Sequence, residues 1–251
     1  MNILMVNDDG IQSENLALMC RAAAARGHKV SVCAPSVQQS GKGQSFTVFT
    51  PLMVKECEME GAEAAWAVDG TPADCSRLGF MALMNEKPDL VISGINYGYN
   101  TGLATYLSGT VGAAREAAFR HIPAMAVSMH ETTPDATARF YADWLVTLAE
   151  HYVTQEVPPM AVLNVNAPPV AVHELKEPVM CRLNELIYRD GYEKRESPRG
   201  GYYYWLTEIE LGSQAAPDSD DDMLHKGHIT CTLLTPEPCE QEKYAHILKD
   251  L

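Results

Sequence analysis

No stretch of the chain stays apolar for the about 20 residues a helix needs to cross a bilayer, so a helical membrane span is not expected. No basic n-region precedes the first apolar residues, so no secretory leader is expected either. The seven cysteines form no CxxC pair and are odd in number. Such a set fits a reducing cytoplasm, where buried Cys serves as a small hydrophobe. Positive charge is scarce: 19 Lys and Arg stand against 33 Asp and Glu, for a net charge of −14. A surface of that sign repels polynucleotide phosphates and argues against a general DNA- or RNA-binding role. It leaves room for a small phosphorylated ligand, because a local cation reverses the field where it sits. Internal repeats and low-complexity tracts are also missing.

What is present is ordinary for a soluble globular protein: 46% hydrophobic and 21% charged residues. At 251 residues the chain can bury a substantial core, as one large domain or one domain with an appendage. Apolar periodicity predicts strands at 2–6, 29–33, 89–92, 123–129 and 161–165, and a hairpin of 46–55 with 64–69. Helices are expected at 13–26, 71–84, 109–120 and 135–155, with Gly27 as a stop and Pro72 in a first turn. Strands alternating with helices imply an α/β fold, a doubly wound and mostly parallel sheet. Past Pro168-Pro169 the texture changes to alternating stretches such as Tyr202–Leu206 and Ile229–Leu233, with the acidic run 218–222 between them. The expected division is a catalytic core at 1–169 and a β-rich arm of extended hairpins at 170–251.

Polar loops follow the apolar strands that end at Val6, Cys33 and Ile92. In open α/β sheets ligands bind at the carboxyl ends of strands, which makes these loops candidates for one shared site. Asp8 and Asp9 close the first strand. Adjacent carboxylates repel unless something positive lies between them. They either hold a hard cation such as Mg²⁺ or Mn²⁺, or one caps a helix while the other is solvated. Ser40-Gly41 in the second loop reads alone as a turn. The third loop, Ser93 to Gly102, crowds Asn96, Asn100 and three glycines together. Asn offers a neutral oxygen to a metal or an amide to an oxyanion, and glycine admits a ligand to the backbone. Ser108-Gly109-Thr110 then opens an alanine-rich helix. It is either a plain N-cap or an anion cradle of N–H groups and two hydroxyls. A cation site beside a phosphate cradle is what hydrolysis of a phosphate monoester needs. Asp74 reads as first-turn helix stabilisation, and histidines such as His121 and His228 as structural.

Four motifs together carry a resemblance: Asn7-Asp8-Asp9-Gly10, Ser40-Gly41, Gly70-Thr71-Pro72-Ala73-Asp74-Cys75, and Ser93-Gly94-Ile95-Asn96 running on to Ser108-Gly109-Thr110-Val111. Fainter echoes are Leu163–Asn166 and Ser219-Asp220 followed by Gly227–Thr230. In this order and spacing the chain resembles the SurE family of stationary-phase survival proteins, metal-dependent nucleotidases acting on 5′- and 3′-monophosphates. The resemblance implies a Rossmann-like core and a C-terminal arm exchanged between subunits, giving homodimers, with pairing into tetramers left open. It implies one divalent cation per subunit, Mg²⁺ or Mn²⁺, held by Asp8, Asp9, Ser40 and Asn96. It implies that Asn96, Ser108, Gly109 and Thr110 hold the phosphate, and that Asp8, Asp9 and Asn96 are the catalytic residues. A nucleoside monophosphate is the expected substrate, with no polymeric nucleic acid or membrane as partner. Two departures bear on loop position, substrate preference and rate. Leu103 and Ala104 stand where the family usually carries acids, and Leu107 stands where it usually has Tyr.

Two other readings stay open on the residues. One is a phosphatase of this shape acting on short polyphosphate or other esters. The other is a phospho-receiver or binding module, which also places an acidic pair after its first strand. Asp69 could pose as the phosphorylated acid of such a module. No matching Lys follows Val127-Ser128, and a receiver leaves the Ser-Gly-Thr helix start unexplained.

Overall fold

Asn2–Val6 forms the first strand (β1), and Ile3, Leu4, Met5 and Val6 have no exposed surface in the computed structural model. Burial on both faces is what a near-continuous apolar run specifies in a parallel sheet. The structure describes residues 1–185, 188–189, 191–207, 210–211 and 215–236. In chain order the elements are β1, α1 (Glu14–Ala25), β2 (Lys29–Pro35), β3 (Val54–Cys57), β4 (Ala64–Val68), α2 (Pro72–Leu78), β5 (Leu90–Tyr97), α3 (Ala104–Leu107), α4 (Gly109–Ala118), β6 (Ala124–Met129), α5 (Asp135–Tyr152), β7 (Val162–Ala167), β8 (Lys176–Met180), β9 (Tyr188–Arg189), β10 (Tyr192–Glu196), β11 (Tyr202–Leu206), β12 (Glu210–Leu211), α6 (Asp220–His225) and β13 (His228–Leu234).

Nine strands make one sheet in the order β3-β4-β2-β1-β5-β6-β7-β13-β8. From β4 to β7 the neighbours run parallel, whereas β3 lies antiparallel to β4 and β13 antiparallel to β7. The chain leaves β1 toward β2 on one side and returns to β5 on the other. The space above β1 is therefore the point where strand order reverses, and a crevice opens there at the carboxyl ends. Helices α1 and α5 cover one face, with Leu16, Met19, Tyr141 and Leu145 in its core. Helices α2 and α4 cover the other, over Leu4, Val6, Val91 and Ala126. The small residues of α4, Ala113, Ala114 and Ala117, are fully buried there.

Several boundaries differ from the sequence expectation, each for a local reason. The hairpin strand expected from 46 begins only at Val54, because residues 46–53 hang on other anchors: Thr47 donates its N–H and its hydroxyl to Asp74. The helix expected over 71–84 is regular to Leu78 and widens into a π-turn at Gly79–Leu83. Its start is as expected: Thr71 and Asp74 form a reciprocal capping box with Pro72 in the first turn. The strand expected at 89–92 runs on to Tyr97, and the loop behind it contains the short helix α3.

Beyond residue 170 the chain does two things. Ile229–Leu233, expected in an extended hairpin, lies in β13 and pairs with β7 in the main sheet, with β8 beside it. By contrast, β10 and β11 make a separate two-stranded ribbon whose Tyr202–Leu206 strand is exposed throughout. The stretch 237–251 of the expected arm lies outside the described residues.

Candidate active site

Asp8 lies two residues past the end of β1, and the sheet edge delivers it to the start of α4. The Thr110 hydroxyl donates to Asp8 Oδ1 at 2.6 Å. The backbone N–H groups of Thr110 and Gly109 also face this carboxylate. Gly109 is required for so close an approach: a Cβ there would lie 3.0 Å from Asp8 Oδ2 and 2.9 Å from Pro72 Cγ. Asp8 is 3% exposed. Burial pushes its carboxyl above the usual value, against the hydrogen bonds from Thr110 and Gly109.

Asp9 turns toward the next strand. Its Oδ2 accepts the N–H of Tyr97 at 3.2 Å. Burial again pushes the carboxyl up, to about 6, the Tyr97 N–H opposes this, and the Asp8 charge adds to it. Two carboxylates held up together in this way are short of positive charge. The arrangement fits a cation between them.

Asn96 reaches the site through an irregularity in β5. Ser93 pairs with Ala126, but Asn96 pairs with Ser128, so one extra residue bulges out between them. Gly94 makes the bulge possible. It adopts φ +129, and a Cβ there would lie 2.1 Å from the Val127 carbonyl oxygen. Asn96 donates its side-chain N–H to Gly98 O at 2.9 Å. That commits the amide nitrogen and leaves the carbonyl oxygen for a ligand.

The second loop is tied to the first: Gln39 donates its N–H to the Asp8 carbonyl at 2.7 Å, and the next residue, Ser40, is exposed beside it. Ser40 Oγ accepts from Gln38 Nε2 at 3.3 Å. Among the described residues no three His, Cys, Asp or Glu side chains gather as a metal cluster. A cation here would draw on two carboxylates, a hydroxyl and an amide oxygen, all oxygen donors and therefore suited to a hard divalent ion.

At the start of α4 the Ser108 hydroxyl accepts the Val111 N–H at 3.1 Å. It is thus an N-cap, and its own O–H proton remains free to donate. The Thr110 proton is committed to Asp8, so its side chain orients the carboxylate. Asp74 takes no part in the crevice: it caps α2 and holds Thr47, the structural role expected of it.

Sequence reasoning missed how the glycine-rich loop is held. Asn100 donates its N–H to Asn166 Oδ1 and its amide to Ser128 Oγ, while Asn164 and Asn166 both donate to its carbonyl. The acidic run is not a solvated stretch between hairpins. Asp220 and Asp221 are buried at the start of α6 and grip the same loop. Asp220 accepts the N–H groups of Gly102 and Asn184, each at 2.8 Å, and Asp221 accepts the Thr101 hydroxyl at 2.6 Å. The available signal was the pairing of two buried-side Asn on β7 and the acids following Ser219. Leu103 caps α3 and Leu107 ends it, both exposed, while Ala104 in its first turn is half-buried, so two of the three departures from the family pattern lie on the loop surface.

The chain matches the family model described as Survival protein SurE over residues 3–190. It is 41% identical to the 5′-nucleotidase SurE of Desulfovibrio desulfuricans, covering 93% of this chain and 92% of that one. It is 39% identical to the 5′-nucleotidase SurE of Maridesulfovibrio salexigens, covering 98% and 97%. Among solved structures it is similar to the SurE protein from Aquifex aeolicus, with a TM-score of 0.80, 31% identity and full coverage of both chains.

Proposed function

The chain belongs to the SurE family, and from that premise we propose that it is a metal-dependent 5′-nucleotidase that hydrolyses nucleoside 5′- and 3′-monophosphates to nucleoside and phosphate. The observation that carries the reading is the Thr110–Asp8 bond. It sets the buried Asp8 carboxylate, with half-buried Asp9 next to it, against a helix N-terminus, so that a cation and a phosphate would share one crevice.

When bound, a divalent cation (Mg²⁺ or Mn²⁺) supplies a Lewis acid toward the phosphoryl oxygens. Asp8, Asp9, Ser40 and Asn96 hold it. Thr110 fixes Asp8 in the orientation this requires. Asp9, ionised beside the cation, takes the proton of the attacking water. Ser108 donates its hydroxyl to a phosphate oxygen. The Gly109 and Thr110 backbone N–H groups, which face Asp8, would be shared between that carboxylate and the phosphate, and Asn96 lines the same space. Fixed donors of this kind stabilise charge as it develops on phosphorus.

Within 170–251 the β10–β11 ribbon, which stands apart from the main sheet, acts as the assembly arm and is exchanged between two subunits of a homodimer. Exposed Tyr192, Tyr202, Tyr204 and Trp205 on that ribbon favour this role. None of the six described cysteines is paired, which favours a reducing, cytoplasmic setting. No described helix is long and apolar enough to cross a membrane.

Phosphate release from a panel of nucleoside monophosphates, sugar phosphates and short polyphosphate, with Mg²⁺ or Mn²⁺ added, tests the substrate class. Preference for nucleotides is expected. Preference for polyphosphate or sugar phosphates would keep the site and discard the nucleotide.

A further inference from the structure

A cleft of about 500 Å³ opens at the carboxyl ends of β2 and β4. Small-molecule sites commonly fall between about 300 and 1,000 Å³. The loop that walls this cleft also reaches the crevice above β1. Ser36, Gln39 and Lys42 line the cleft, Gln39 donates its N–H to the Asp8 carbonyl, and Ser36 donates its N–H to the Val68 carbonyl at 2.8 Å. In the strand order β4-β2-β1, two strand spacings, about 10 Å, separate the end of β4 from the end of β1.

Two side chains of opposite charge face the cleft, Asp69 and Lys42. Both are exposed, so a ligand can touch them. Neither has an ion-pair partner among the described residues. Asp69 is nonetheless held in place. Its N–H donates to the Met53 carbonyl at 2.9 Å, and its Oδ1 accepts the Ser36 hydroxyl. A carboxylate has about four acceptor sites, so room remains for hydroxyls of a ligand. Its charge disfavours a second anion there. An ammonium such as that of Lys42 offers only donors. The two together ask for a ligand with hydroxyl donors on one side and neutral acceptors on the other. A nucleoside meets this demand. Its ribose supplies the hydroxyls, and its base carries an acceptor on the sugar-side edge, N3 of a purine or O2 of a pyrimidine. An acid that takes the ribose 2′-hydroxyl beside a phosphate site is a known device of α/β sheets. Exposed Val37 on the same wall gives the base an apolar surface.

We propose that this cleft is the nucleoside subsite of the nucleotidase. Asp69 accepts the ribose 2′-hydroxyl, Lys42 donates to the sugar-side edge of the base, and the phosphate rests in the crevice above β1. Asp69 thereby selects ribonucleotides over 2′-deoxyribonucleotides. The proposal rests on the nucleotidase reading above, and its test separates the two.

The test compares AMP with 2′-deoxy-AMP in the wild type, Asp69→Ala and Lys42→Met, all supplied with Mn²⁺. The wild type should favour AMP about tenfold in kcat/KM, the scale of a hydrogen bond to a charged group, and through KM rather than kcat. In Asp69→Ala the preference should fall to near parity, because KM rises for AMP alone. A merely structural loss would move both substrates together. Asp69→Asn keeps an acceptor for Ser36, should also lower the preference, and covers the case in which Asp69→Ala fails to fold. In Lys42→Met KM should rise for both nucleotides alike, with inhibition by inorganic phosphate unchanged. A wild type without the preference, or a preference that survives in the Asp69 variants, overturns the subsite. Weaker phosphate inhibition in Lys42→Met with both KM values unchanged makes Lys42 an anion site and overturns it as well. Absence of phosphate release from every ester in the wild type overturns the nucleotidase reading instead. Calorimetric titration of AMP and 2′-deoxy-AMP then decides the subsite by the same comparison, and binding of neither overturns it.

Discussion

At the residue scale the site turns on two carboxylates that folding makes harder to ionise. Asp9 moves from 3.8 to about 6, chiefly through burial. Between those values the folded chain binds more protons than the unfolded one, so metal-free stability falls as pH rises through that window. A cation favours the ionised form and reverses the trend. In EDTA the thermal midpoint should decline as pH is raised from about 4 past 6, and added Mn²⁺ should remove the decline; identical pH profiles with and without Mn²⁺ would contradict this. Asp8→Asn removes a buried charge while keeping an acceptor for Thr110. It should raise the metal-free midpoint at neutral pH, abolish the Mn²⁺ effect and lower turnover by at least about 10²-fold. Asn96→Ala should cost turnover on a similar scale, and near-full activity in either folded variant would refute the ligand assignment. Much of this was legible in the sequence, because Asp8, Asp9, Asn96 and Ser108 sit where apolar runs end or a helix begins. The Thr110 side chain was harder to read. Its hydroxyl serves Asp8, a partner 102 positions away that only the sheet brings near.

At the scale of elements, the loop between β5 and α4 is held from two sides. Strands β6 and β7 grip Asn100, and α6 grips Thr101 and Gly102. Removing Asp220 would leave the N–H groups of Gly102 and Asn184 unpaired in a buried place, at about 1–3 kcal/mol for each. Asp220→Ala should therefore lower the unfolding midpoint and speed amide exchange at Gly102, and unaltered exchange there would show that the loop does not depend on α6. Gly109→Ala is a more local test. Its methyl group would meet Asp8 and Pro72, so activity should fall while the sheet stays intact. Local chemistry made the start of α2 legible, since Thr71, Pro72 and Asp74 form a complete capping signal. The grip of α6 was not legible: Asp220 and Asp221 look like surface charge until their partners, the Gly102 N–H and the Thr101 hydroxyl, 118 and 120 positions earlier in the chain, are known.

At the scale of the whole molecule, alternating strands and helices announced the parallel sheet and the crevice above β1. The antiparallel entry of β13 beside β7 was not announced, because a short apolar strand carries no mark of its distant partner. The β10–β11 ribbon remains apart from that sheet with its aromatic strand exposed. Replacing Tyr203 and Trp205 together by Glu should reduce the sedimenting mass if the ribbon joins subunits, and an unchanged mass would remove it from the assembly surface. The central claim is that the Asp8–Asp9 crevice and the α4 cradle act as one metal-dependent device. Its most direct test is a Mn²⁺ titration of EDTA-stripped protein at neutral pH, with phosphate release from AMP read in the same samples. The account predicts no release without metal, and release that rises with the bound fraction and saturates near one ion per chain. Full release in EDTA, or Mn²⁺ binding that leaves release unchanged, would contradict it.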